Sequence, residues 1–124
     1  MFKNMMLVGF GSFFGGVVRY LVTRMLSAMV VSSYPFGTFA VNVLGCFIIG
    51  FVSALPVGSS LSPNTRLLLT TGLCGGFTTF STFMNENATL LKDGMSTTAL
   101  LYSFASLLVG FLAVIGGQQV ARIF

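Results

Sequence analysis

The chain has no histidine and no tryptophan, and only Glu86 and Asp93 carry a carboxylate among its 124 residues. Without histidine there is no imidazole base, no haem ligand of the usual kind and no His-liganded zinc. General acid–base and nucleophilic catalysis need positioned ionisable partners, and two acids near one end of a hydrophobic run supply little of that, so ordinary enzymology is excluded as a first reading. Charged residues of both signs amount to 6%, whereas a soluble domain carries about 25% to keep its surface wet. The apolar share is 55%. The chain therefore reads as a membrane protein. No G-x-x-x-x-G-K-[ST] phosphate loop is present, and nothing implies a nucleotide or nucleic acid partner. Cys46 and Cys74 lie far apart inside apolar stretches, where cysteine behaves as a small hydrophobe.

The few charges that are present mark out the crossings. Lys3 opens the chain, and residues 4–18 are too few to span, so the first helix continues past Arg19 to about residue 27. Pro35 and Pro56 fence off a second crossing over 36–55, which reaches about 30 Å at 1.5 Å per residue. Residues 57–65, VGSSLSPNT, have the composition of a short interfacial loop. A third crossing lies over 66–92, and after a turn at Asp93 and Gly94 a fourth runs over 95–122. The expectation is an all-α membrane protein, a single domain of four transmembrane helices on short connections, with no room for a soluble domain. Lys3 ahead of a short apolar stretch also fits a signal peptide, but the remainder is equally hydrophobic and no small-x-small cleavage site follows.

With the N-terminus on one side, Lys3, Arg66 and Arg122 flank that side, while Arg24 and Lys92 flank the other with Arg19 near it. The positive-inside rule casts almost no vote. Either a small bias fixes one orientation, or the chain inserts both ways up and opposed copies pair as an antiparallel dimer. The pairs Gly11 and Gly15, Ser12 and Gly16, and Gly72 and Gly76 are small-xxx-small rows, which favour close helix approach within a bundle or between copies.

Polar side chains inside a span either bond each other or line a wet path. Asn42 in the second crossing, Thr78, Thr79, Ser81 and Thr82 in the third, Tyr102, Ser103 and Ser106 in the fourth and Arg19 in the first are such residues. The third crossing carries Gly72-Leu-Cys-Gly-Gly-Phe-Thr-Thr-Phe-Ser-Thr-Phe83, in which adjacent glycines and β-branched threonines are poor helix material. Two readings fit: a glycine-rich packing kink, or a helix broken near the bilayer midplane whose freed carbonyls around Gly75 and Thr78 hold a single cation by dipoles alone. Phe80 and Phe83, three apart, share a helix face. They serve either as packing or, through their electropositive ring edges, as contacts for an anion. Glu86 stands one turn beyond Thr82, extending a short polar track. No acid lies deep in a span, so the lining favours a passive route for a small anion or neutral solute over a cation-driven transporter.

GSFFGGVVRY (11–20), GTFAVNVLGCFIIG (37–50) and GLCGGFTTFSTF (72–83) resemble, in this order, the signature segments of the small fluoride-channel family known as CrcB or Fluc. The resemblance covers essentially the whole chain, and GGFTTFSTF with an upstream Val-Asn pair is highly specific. It implies a dual-topology antiparallel homodimer in the bacterial inner membrane, with two fluoride pathways and one structural sodium ion between the broken third helices. It implies further that Phe80 and Phe83 line the anion path, that Asn42 donates to it, and that Tyr102 and Ser106 face it. Gly75 and Thr78 would supply main-chain carbonyls to the sodium. Ser81, Thr82 and Glu86 would line the outer stretch towards a vestibule, and Arg19 either draws anions to a mouth or snorkels as an anchor. Where some members carry a further serine, this chain has Gly110. Lys3, Arg24, Arg66, Lys92 and Arg122 read as interfacial anchors. The function implied is passive export of fluoride that enters cells as the neutral acid. A small multidrug or guanidinium exporter coupled to protons is the alternative, but it calls for a glutamate in the first helix, and residues 4–27 contain none.

Overall fold

In hydrocarbon each backbone polar group must be satisfied within its own segment, so long uncharged runs fold as helices. The computed structural model describes residues 1–30, 34–56 and 61–123. The chain forms α1 (Phe2–Met29) and α2 (Phe36–Ala54), then a composite third segment. That segment starts as α3 (Pro63–Leu67), widens into a π-helical stretch (Leu68–Cys74), tightens to the single turn α4 (Gly75–Phe77) and resumes as α5 (Phe80–Lys92). The last helix is α6 (Ser96–Ala121), and no strand occurs among the described residues. Four segments, with Pro63–Lys92 taken as one, are long and apolar enough to cross a membrane. The protein is a multi-pass membrane protein. Of the loop expected over 57–65, residues 57–60 lie outside the described residues.

The helix ends are closed by local chemistry. Ser62 caps α3 by accepting the Thr65 N–H at 3.2 Å, with Pro63 at the first helical position. Arg66 then reaches back to the end of α2, where Pro56 has no N–H to offer the Val52 carbonyl. Its Nη1 donates to the Val52 and Ser53 carbonyls at 2.8 and 3.1 Å, and its Nη2 to that of Leu55 at 3.1 Å. At the other end of the third segment Gly94 takes φ +76°, its N–H bonding the Leu91 carbonyl at 3.2 Å while Met95 N–H bonds that of Leu90 at 2.8 Å. This is a Schellman closure, and Met95 packs on the cluster containing Leu90 as that motif favours.

Glycines set how closely the segments meet. A Cβ on Gly11 would lie 2.6 Å from the Leu68 oxygen and 2.8 Å from the Leu73 nitrogen, and one on Gly76 would lie 2.8 Å from Ser12 Cα. Thus α1 lies backbone to backbone on the π-helical stretch and α4, and Ser12 Oγ donates across the contact to the Gly72 carbonyl at 3.2 Å. The same device joins α2 to α6, where a Cβ on Gly117 would stand 2.8 Å from the Phe51 nitrogen. Large side chains such as Phe10, Phe13, Phe104, Leu107 and Phe111 are exposed, as befits a chain whose surroundings are apolar rather than aqueous.

Candidate functional site

The third segment is not regular α-helix across the glycine and threonine pairs. Thr78 (φ −91°, ψ 160°) and Thr79 (φ −152°, ψ 122°) are extended and separate α4 from α5. Two side-chain oxygens hold the gap open. In a continuous helix the Thr79 N–H would bond the Gly75 carbonyl; here it bonds Asn42 Oδ1 at 2.8 Å. The Thr82 N–H, the helical donor for the Thr78 carbonyl, bonds Thr79 Oγ1 at 3.3 Å. Asn42 Nδ2 donates in return to the Thr79 carbonyl at 3.1 Å, so one amide serves Thr79 as a neighbouring strand would. From α1, Arg19 Nε donates to the Gly76 carbonyl at 3.1 Å. Thr78 turns both its N–H and its hydroxyl to the Cys74 carbonyl, at 3.0 and 2.9 Å.

The Gly75 and Thr78 carbonyls are thereby released from their helical donors. Both residues line an open groove of about 550 Å³, together with Asn42, Cys74, Thr79, Phe80, Phe83 and Ser106. A Cβ on Gly75 would meet nothing within 4 Å. No carboxylate lines this groove, and the described residues hold no cluster of three His, Cys, Asp or Glu for a metal. A cation in this place would meet only neutral oxygens, the freed carbonyls among them, hard donors that suit a monovalent alkali ion.

A second polar set ties α5 to α2 and α6. Glu86 Oε2 accepts from Thr38 Oγ1 at 3.0 Å, and Oε1 accepts from the Tyr102 hydroxyl at 2.9 Å. Both carboxylate oxygens are thus held by hydroxyl donors. Glu86 and Thr38 also line a cavity of about 270 Å³ with Thr23 and Ser27 of α1 and with Tyr34. Tyr102 is fully buried, its ring edge-on to Phe83 at 4.9 Å and to Tyr34 at 5.3 Å between centroids. Tyr34 precedes α2, and burial pushes its phenol above the usual value, so it is neutral at physiological pH. Phe83 is 6% exposed and Phe80 71%, with centroids 6.1 Å apart. Asn87 Nδ2 donates to the Phe83 carbonyl at 3.0 Å, and Asn87 Oδ1 accepts from Ser103 Oγ at 3.0 Å. Ser106, one turn from Tyr102 on α6, buries its Oγ with no hydrogen-bond partner.

Of the residues singled out in the sequence, Asn42, Gly75, Thr78, Phe80, Phe83 and Ser106 come together around the groove. Glu86 and Tyr102 meet each other, and Tyr102 backs Phe83. Thr82 is tied to the gap through its N–H, whereas Ser81 is exposed on the first turn of α5. Gly110 is buried beside the Cys46 sulfur, with a Cβ position 3.5 Å from it. Thr38 and Asn87 belong to the polar sets but escaped the sequence reading. Thr38 stands one turn before Asn42 on the same face of α2, a spacing that could have found it. Asn87 sits among Asn85, Glu86 and Thr89, where polar neighbours disguise its burial.

Fold and site together define a class: a small four-crossing integral membrane protein with an open, largely apolar groove, set with a few polar side chains, beside an interruption in its third segment. The family described as "CrcB-like protein, Camphor Resistance (CrcB)" matches residues 6–118. The chain belongs to this family. It is 50% identical over 120 residues to a protein of Chlorobium chlorochromatii named "Fluoride-specific ion channel FluC", covering 96% of this chain and 92% of that one. A protein of the same name from Chlorobium phaeobacteroides is 49% identical over 98% of this chain and 95% of its own. Another, from Phocaeicola vulgatus, is 44% identical over 93% of this chain and 95% of its own.

Proposed function

We propose that the protein is a fluoride channel of the bacterial inner membrane, through which fluoride leaves the cytoplasm passively, with no chemical conversion. The observation that carries this reading is near-complete alignment, at about half identity, with relatives named for that activity. Fluoride is small and strongly hydrated, so a dry path must replace its water with donors and positive ring edges. The amide of Asn42 has a second N–H beyond the one given to Thr79, and the Ser106 hydroxyl has no protein partner. The edges of Phe80 and Phe83 supply the apolar contact, with Tyr102 behind Phe83. In this reading Ser81, Thr82 and Glu86 form the outer stretch of the path, and Glu86 lines the cavity of about 270 Å³. The charge of Arg19 draws anions to the path.

The working assembly in this reading is an antiparallel homodimer of dual-topology chains with two pathways. The exposure of Phe80 and the open groove beside Gly75 support a second copy as its cover. A structural sodium ion at the dimer centre would be held by the Gly75 and Thr78 carbonyls of each copy, supplying a fixed positive charge that ties the two interrupted segments together. Expression in a bacterium stripped of its own fluoride exporters tests the proposal. Restored growth on fluoride is expected, and growth no better than with an empty vector would refute it.

A further inference from the structure

The gap in the third segment takes the helical donors from four successive carbonyls, those of Gly75, Gly76, Phe77 and Thr78, yet of these residues only Gly75 and Thr78 line the groove. Thr78 and Thr79 are extended, at about 3.3 Å of rise each, and carry the Phe80 N–H out of reach of the Gly76 carbonyl. That oxygen is therefore as free of helical donors as those of Gly75 and Thr78. It is occupied instead by Arg19, whose Nε reaches it at 3.1 Å from α1. Gly75 and Thr78 line the groove and Gly76 does not.

Arg19 has no carboxylate partner: Glu86 is held by Thr38 and Tyr102, and Asp93 lies in the exposed turn after α5. A guanidinium in a span without a counter-ion needs acceptors, and a carbonyl at the C-terminal end of a helical turn is a good one. The contact is rigidly framed. Ser12 Oγ binds the Gly72 carbonyl one turn away, and the backbones of α1 and α4 touch at Gly76 and Ser12.

We infer that Arg19 is a positioning residue of the cation site: by holding the Gly76 carbonyl towards α1 it fixes the donor set as the Gly75 and Thr78 oxygens. The inference rests on the sodium reading above and extends it to a residue that does not touch the ion. Its sign is distinctive. Removing a positive charge near a cation would by Coulomb's law alone tighten sodium binding, whereas loss of positioning loosens it.

The test is thermal unfolding of the purified protein in detergent as sodium replaces N-methylglucamine at constant ionic strength, since a ligand of the native state raises Tm with its own concentration dependence. In R19Q the sodium midpoint is expected to rise by about tenfold or more, the size set by one charge-assisted hydrogen bond. In R19K, which keeps charge and a donor but not the fork, it rises by about threefold. R24Q, which removes an exposed charge from the same helix, leaves it unchanged. Should R19Q not fold, R19K decides. An unchanged or lowered midpoint in the Arg19 variants, with a sodium response in the unsubstituted protein, overturns the positioning role. Absence of any sodium response in the unsubstituted protein overturns the cation reading itself, and this inference with it.

Discussion

At Asn42 one side chain meets both polar groups of a backbone unit that no helix serves. Replacing it by alanine leaves the Thr79 N–H and carbonyl unpaired, and an unsatisfied group in hydrocarbon costs several kcal/mol. Asn42→Ala is expected to lower Tm and to abolish fluoride efflux from reconstituted liposomes; full flux would show that the amide is dispensable. Phe83 and Phe80 differ in surroundings, the first enclosed with Tyr102 and the second exposed. In the proposed channel both rings touch the ion, so Phe80→Ile and Phe83→Ile should each stop conduction while the dimer still elutes intact on size exclusion. Unchanged flux in both variants would reassign the pair to packing. Asn42 and the two threonines were legible because a polar group in an apolar run is conspicuous. Thr38 and Tyr34 were not, because their roles depend on what α5 and α6 bring to them.

Among the elements, close approach of backbones governs the fold. Gly11 lies against the Leu68 oxygen and the Leu73 nitrogen, whereas a Cβ on Gly9 would meet nothing within 4 Å. Gly11→Ala is expected to cost about 1–3 kcal/mol by forcing α1 off the π-helical stretch, and Gly9→Ala to leave Tm within the range of a surface change; equal Tm for both would contradict the packing described. The four long apolar segments could be read from charge spacing alone, since lipid leaves a chain few alternatives to helix. The π-helical stretch could not, because Leu67-Leu68-Leu69-Thr70-Thr71 carries no period that separates a wide turn from an ordinary one. Arg66, read as an interfacial anchor, also serves the last carbonyls of α2, a partner set by the folding back of the chain.

For the molecule as a whole, the exposed apolar surface, the groove open beside the interrupted segment and the near-balanced flanking charges bear on one assembly. If the chain inserts both ways up, a Phe2→Cys variant lacking Cys46 and Cys74 should label with impermeant maleimide from both sides, about half on each, as equal insertion requires. Labelling from one side alone would end the dual-topology reading.

The most direct measurement is anion substitution in liposomes that hold the purified protein, loaded in turn with fluoride, chloride and, as a cation control, guanidinium. A seam of donors and ring edges beside Thr78 and Thr79 predicts rapid fluoride efflux with chloride and guanidinium retained. Fluoride efflux no faster than from protein-free vesicles, or guanidinium efflux in its place, would contradict it.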